Sequence, residues 1–185
     1  MDMAVLSLFE FEEKLHCVFL RNTSGGGPGV TRNKGILNSY NKYILFFDAD
    51  SGFENKNSLE QMYNKISSND LNLLLWNAYD SENHFSQKGI CVNREILNTY
   101  NLLYKPFYFG EDNEFLINLI SKVDPKKLYD FENNDNNIYT RYNISSGLNI
   151  TKTFAEYDNL HFSLITAGFI GYFSAIQEVI NPKEL

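Results

Sequence analysis

An α/β fold, with a mostly parallel sheet flanked by helices, is the class this sequence predicts. Short apolar runs, Tyr43 to Phe47 (YILFF) and Leu71 to Trp76 (LNLLLW), mark strands buried on both faces. Between them Leu59, Met62, Tyr63 and Ile66 recur at i, i+3, i+4 and i+7, the spacing of an amphipathic helix. The order strand, helix, strand, helix, strand as far as Trp76 favours parallel pairing through right-handed crossovers.

The elements follow in order. Residues 1–15 mix apolar and acidic positions and are expected to end in a helix, before a short buried strand at His16 to Leu20. Arg21 to Gly29 (RNTSGGGPG) reads as a loop, because three consecutive glycines and Pro28 oppose regular structure. Thr31 is placed to cap the next helix, whose Ile36, Leu37 and Tyr40 share one face. The amphipathic helix spans about Ser58 to Ser67. After Trp76 a short strand is expected at Gly89 to Val92, a short helix at Arg94 to Tyr100, and a helix from Glu111 with Phe115, Leu116, Leu119 and Ile120 apolar. Asp130 to Asn137 is a polar loop, Tyr139 to Asn143 alternates like an edge strand, and a final helix begins near Thr153. With no repeat and no linker, one domain over 1–185 is expected, as a core (1–150) and a C-terminal helical segment (151–185).

Composition narrows the function classes. The chain has 185 residues, 43% hydrophobic and 21% charged, which excludes wholesale disorder and allows an ordinary core. Lys+Arg 16 against Asp+Glu 23 leaves −7, and no basic stripe is present, so nucleic acid is not an expected partner. The surplus of Asn (24), Tyr (12) and Phe (15) is what AT-rich codon supply produces, and carries no functional reading. Cys17 and Cys91 are isolated, which suits a reducing compartment, and no secretory leader is legible, so a cytoplasmic location is expected. Leu160 to Ile176 contains no Asp, Glu, Lys or Arg, but its 17 residues are at or below the length of a membrane span. A packed or interface-lying helix is expected there, with peripheral membrane association through it.

Three segments can carry chemistry. In YILFFDADSG, Asp48 and Asp50 follow a buried strand and project where open α/β sheets bind ligands. Paired carboxylates suit hard cations such as Mg²⁺ or Mn²⁺, which complete their shell with substrate phosphates. With 10 Asp in 185 residues, chance supplies about 0.5 such D-x-D per chain, and a turn cluster is the alternative. In GGGPGVTRNKGI, the Gly-rich turn before a helix can bind an anion through its N–H groups, and Arg32 can reach a phosphate or face solvent. In Phe109-Gly110-Glu111-Asp112, adjacent carboxylates either favour the helix dipole or supply a general base.

In this order, G-P-G-V-T-R-N-K-G-I, Y-I-L-F-F-D-A-D-S and F-G-E-D-N-E-F resemble glycosyltransferase family 2, the inverting enzymes of GT-A fold, over about residues 15–150. The resemblance implies a GT-A-like sheet and transfer of a sugar from a nucleotide-diphosphate donor, UDP-linked, to a hydroxyl of a glycan or lipid-linked acceptor. It makes Asp48 and Asp50 the D-x-D that meets the donor diphosphate through Mn²⁺ or Mg²⁺, with Asp50 the more direct metal ligand. Arg32 falls at the family's arginine near the nucleotide, Asp112 at the general base, and Glu111 at a position that orients the acceptor. Tyr139 to Asn143 with Ser145-Ser146-Gly147 falls where a donor-closing loop occurs, which makes Arg141 a further donor-site candidate.

Family members begin with a further βαβ unit, whereas only about 15 residues precede His16, so an N-terminally truncated sheet with an exposed edge is expected. A fragment, a homodimer or completing partner chain, and a degenerate relative all agree with that pattern. The rival to an enzyme is a non-catalytic α/β module that binds a partner through its acidic crevice or bare edge.

Overall fold

The computed structural model describes residues 16–21, 27–48, 51–53, 55, 57–80, 82–107, 110–131, 138–142, 162–168 and 173–178. The helix expected within 1–15 and the candidate Asp50 lie outside the described residues. The strands are β1 (His16–Arg21), β2 (Tyr43–Asp48), β3 (Ser51–Phe53), β4 (Leu73–Tyr79), β5 (Phe85–Asn93), β6 (Leu128–Asp130), β7 (Tyr139–Tyr142), β8 (Phe162–Gly168) and β9 (Phe173–Glu178). The helices are α1 (Gly27–Asn38), α2 (Ser58–Ser68), α3 (Arg94–Tyr100) and α4 (Glu111–Ile120). Among the described residues the strands form one sheet, ordered β1-β9-β8-β2-β5-β4-β7-β3, with β6 also on β4.

The α/β class is therefore observed, but the sheet is mixed rather than mostly parallel. β8 runs parallel to β2, and β6 and β7 run parallel to β4. The β1–β9, β2–β5, β3–β7, β4–β5 and β8–β9 ladders are antiparallel. The cause is local. Short connections join β4 to β5 and β8 to β9, and a chain that turns back at once must pair antiparallel. Nor is Tyr139–Tyr142 an edge strand, since β7 lies between β4 and β3.

The C-terminal reading needs the largest correction. Within the stretch expected to be a helix, and to touch membrane as one, Phe162–Gly168 and Phe173–Glu178 are strands. Phe162, Ile165 and Thr166 favour extended backbone, and Gly168 disfavours a helix. This hairpin inserts between β1 and β2, with Tyr43 to Asp48 in register with Phe162 to Ala167. That side of β2 is thus covered. Among the described residues no helix is long and apolar enough to cross a membrane.

α1 begins at Gly27, inside the glycine-rich run read as loop. Pro28 sits in the first turn, where its missing N–H has no helical acceptor to lose. Thr31 consequently lies inside the helix instead of capping it, and its hydroxyl donates to the Gly27 carbonyl at 3.3 Å.

β2 alternates between two cores, which explains its continuous apolar sequence. Tyr43, Leu45 and Phe47 pack with Leu59, Met62 and Ile66 of α2. Ile44 and Phe46 face the opposite layer, with Leu97 of α3 and Phe115 and Leu119 of α4. The site-bearing strand is thereby held rigidly from both sides.

Gly89 of β5 is opposite Trp76 of β4, and a Cβ on Gly89 would lie 1.9 Å from the indole Cε2. Gly89→Ala is expected to lower stability by about 1–3 kcal/mol through overpacking. A thermal melt checks this, and an unchanged Tm would mean that the indole yields freely.

Candidate active site

The site is assembled at the C-terminal end of β2, around one buried guanidinium. Arg32 projects from α1 with a side chain only 7% exposed. Its Nη2 donates to Asp48 Oδ1 at 2.8 Å, and its Nη1 lies 3.1 Å from Glu111 Oε1 and 2.8 Å from Asp112 Oδ1. Three carboxylates on one cation leave the cluster acidic. Asp48 is at the end of its strand, and Glu111 and Asp112 form the first turn of α4, where their charge is favourable with the helix dipole.

The ring of Tyr104 forms one wall of the cluster. It stacks on Phe115 with centroids 3.9 Å apart, and the Arg32 guanidinium lies 5.4 Å from its centroid. Asn33 fixes this segment to α1: its side-chain amide donates to the Tyr104 carbonyl and accepts the Tyr104 N–H, both at 2.7 Å. Gly29 allows the close approach, since a Cβ there would come within 2.9 Å of the Lys105 carbonyl oxygen.

Burial raises the Asp112 carboxyl, Arg32 opposes that rise, and Glu111 and Asp48 add to it, bringing the group to about 6. Burial also opposes the charge on Arg32, but Tyr104, Asp48 and Asp112 outweigh it and hold the guanidinium above its ordinary value. Asp112 remains 32% exposed and is reachable from solvent. Glu111, only 7% exposed, meets Arg32 from the buried side.

A cleft open to solvent lies in front of the cluster. Arg32, Asp48, Tyr104 and Asp112 line it together with Ser51, Trp76, Gln87, Lys88 and Gly89. Gln87 Nε2 donates to the second oxygen of Asp48 at 2.8 Å, and Lys88 Nζ pairs with Asp130 at 2.9 Å. Both oxygens of Asp48 therefore have protein donors. Among the described residues no group of three potential ligand side chains converges as a metal site.

The structure thus brings together Arg32, Asp48, Glu111 and Asp112, four of the six residues singled out from the sequence. Asp50 lies outside the described residues, and Arg141 is placed by its backbone alone, opposite Gly52 in the β3–β7 ladder. Asn33, Tyr104, Gln87 and Trp76 were not anticipated. Asn33 had a signal in its position beside Arg32, whereas Gln87 meets Asp48 only through strand pairing.

The chain matches the model of Glycosyl transferase family 2 over residues 5–138. Among solved structures it is similar to S. aureus TarS 1-349, with a TM-score of 0.62 and 13% identity, over 86% of this chain and 55% of that one. The TarS complex with UDP-GlcNAc gives 0.63 at 13% identity, over 86% of this chain and 56% of that one. The TarS complex with UDP gives 0.54 at 14% identity, over 73% and 47% respectively. At such identities the likeness establishes the fold, GT-A-like as expected, and the chain spans about half the length of these structures. A comparison with curated protein sequences gives no match.

Proposed function

The chain belongs to glycosyltransferase family 2, and from that premise we propose that it transfers a sugar from a UDP-linked donor, with inversion, to a hydroxyl of a glycan or lipid-linked acceptor. The observation that supports this best is the contact of Arg32 with both Asp48 and Asp112, which puts a donor-site acid and a candidate base in one cleft. The similar TarS structures hold UDP and UDP-GlcNAc, which makes UDP-sugars the first donors to test.

In this reading Asp112 accepts the proton of the acceptor hydroxyl as its oxygen attacks the anomeric carbon. The bond from that carbon to the diphosphate oxygen breaks on the opposite face, so one displacement inverts the centre. An acid raised to about 6 is ionised at neutral pH yet basic enough to take part in the proton transfer. Arg32 holds Asp48 and Asp112 in fixed relation, with Glu111 bracing it from behind. Asp48 and Asp50 would hold Mn²⁺ or Mg²⁺, whose hard-cation chemistry the acidic surplus suits; bound there, the ion supplies charge neutralisation for the leaving diphosphate. Arg141 is proposed on the donor side.

Isothermal titration with UDP, with and without Mn²⁺, followed by UDP-glucose, UDP-galactose and UDP-N-acetylglucosamine, tests the reading. Metal-dependent UDP binding that disappears in Asp50→Asn is expected. Absence of any nucleotide binding would favour a non-catalytic module.

A further inference from the structure

We infer that Trp76 recognises the sugar itself: its indole N–H donates to an acceptor oxygen of the sugar carried by the donor. The inference rests on the glycosyltransferase reading above and adds a residue that the sequence motifs do not contain.

The position follows from strand pairing. β2 and β5 are paired from Tyr43↔Asn93 to Phe46↔Ile90. Past that point β2 continues to Asp48 without pairing to β5, while Gly89, Lys88 and Gln87 keep the β4 ladder on the other edge of β5. A notch opens where the two strands part, and residues from both its sides line the cleft. Trp76 of β4 belongs to the core on the α2 side of the sheet, where its indole lies over Gly89 with Nε1 2.2 Å from where a Gly89 Cβ would be, and it lines the cleft at this notch. The missing side chain on β5 is what gives the indole its place.

Trp76 is 1% exposed, and among the described residues its Nε1 has no hydrogen-bond partner. Ser58, Asn77 and Glu114 also carry buried unpartnered atoms, but none of these residues lines the cleft. An unpaired buried donor is unfavourable, and a phenylalanine would fill similar space without it. An indole N–H can only donate, so its partner must be an acceptor oxygen. Asp48 and Asp112 line the same cleft, and in the proposed displacement the sugar must lie between the leaving diphosphate and the base. The carboxylate surplus around Arg32 disfavours a bare phosphate at that point, whereas a neutral hydroxyl or amide oxygen is compatible with it.

The chain contains a single tryptophan, so its indole N–H gives one resolvable ¹H–¹⁵N cross-peak. Titration of the intact chain with UDP should leave that peak nearly in place, and a UDP-sugar of the panel should shift it. Trp76→Phe should weaken UDP-sugar binding about tenfold and raise the donor KM, with UDP affinity within twofold of wild type and kcat little changed. Equal shifts with UDP and UDP-sugar, or equal affinity losses for both, would assign the indole a structural role and overturn the inference. A wild-type chain that binds UDP but distinguishes no UDP-sugar from it overturns this inference alone. One that binds no nucleotide overturns the reading on which it rests. The spectroscopic measurement requires no variant, so a poorly folding Trp76→Phe leaves the inference open to refutation.

Discussion

Asp112→Asn is expected to reduce kcat by about 10²–10⁴-fold, the usual contribution of a positioned general base, while UDP affinity stays within a few-fold. The fold should persist, and the reason lies in the environment of the group. Burial already disfavours the Asp112 carboxylate and raises it to about 6, so a neutral amide of the same shape removes an unfavourable charge. Arg32 would keep Asp48 and Glu111 as partners. The wild-type pH profile has a definite sign. The ionised form is the base, so kcat/KM should rise with pH through about 6 and level off above it. Steady-state rates between pH 5 and 8, with melting temperatures for both proteins, decide the matter. A variant that keeps wild-type turnover would remove Asp112 from the base role.

Arg32→Met is expected to have the second largest effect, on stability and pH dependence together. Removing one partner from a buried ionic cluster leaves its counter-charges uncompensated, at a cost of about 3–5 kcal/mol. Here Asp48, Glu111 and Asp112 would all lose the same guanidinium. Arg32 is also the influence that lowers the Asp112 carboxyl, so without it that group must rise further. The acid limb of the rate profile should then move to higher pH, with activity at neutral pH reduced. Arg32→Lys keeps the charge but cannot span three acids with a planar fork, and should lie between Met and wild type. Denaturant melts and pH–rate profiles of the three proteins test this. An unshifted acid limb in Arg32→Met would separate Asp112 from the arginine despite their 2.8 Å contact.

The acidic surplus gives the cluster a second consequence. Three carboxylates around one guanidinium leave a negative surplus, which in the proposed reaction favours a diphosphate that enters together with a cation. Asp48 already accepts from Arg32 and Gln87, which makes its geometry dependent on both α1 and β5. The position of Asp48 is therefore coupled to the packing of two elements that are distant in sequence.

Much of the fold and the acids of the site are legible in the residues. The uninterrupted apolar run of β2, the spacing of Leu59, Met62 and Ile66, and the carboxylates following Gly110 are local patterns, set by which side chains must be buried and which favour a helix start. The same local chemistry misread the region after Arg21. A run of glycines disfavours a helix by itself, but Gly29 must be small where α1 meets the Tyr104–Lys105 backbone, so tertiary packing prevails. It misread Phe162–Gly168 as well, because an uncharged apolar stretch suits either a buried helix or a buried strand.

The sequence by itself determined the family and the strand that carries Asp48, and it singled out Arg32, Glu111 and Asp112, which the fold brings into contact. Those depend on residue type and short-range spacing. Only the tertiary structure decided that β8 lies beside β2, that Gln87 meets Asp48, and that the Trp76 N–H is buried without a partner among the described residues. Each of these depends on which sheet edges and faces come together across long stretches of chain, and a local pattern constrains a residue's own burial far more than it constrains the neighbour it is buried against.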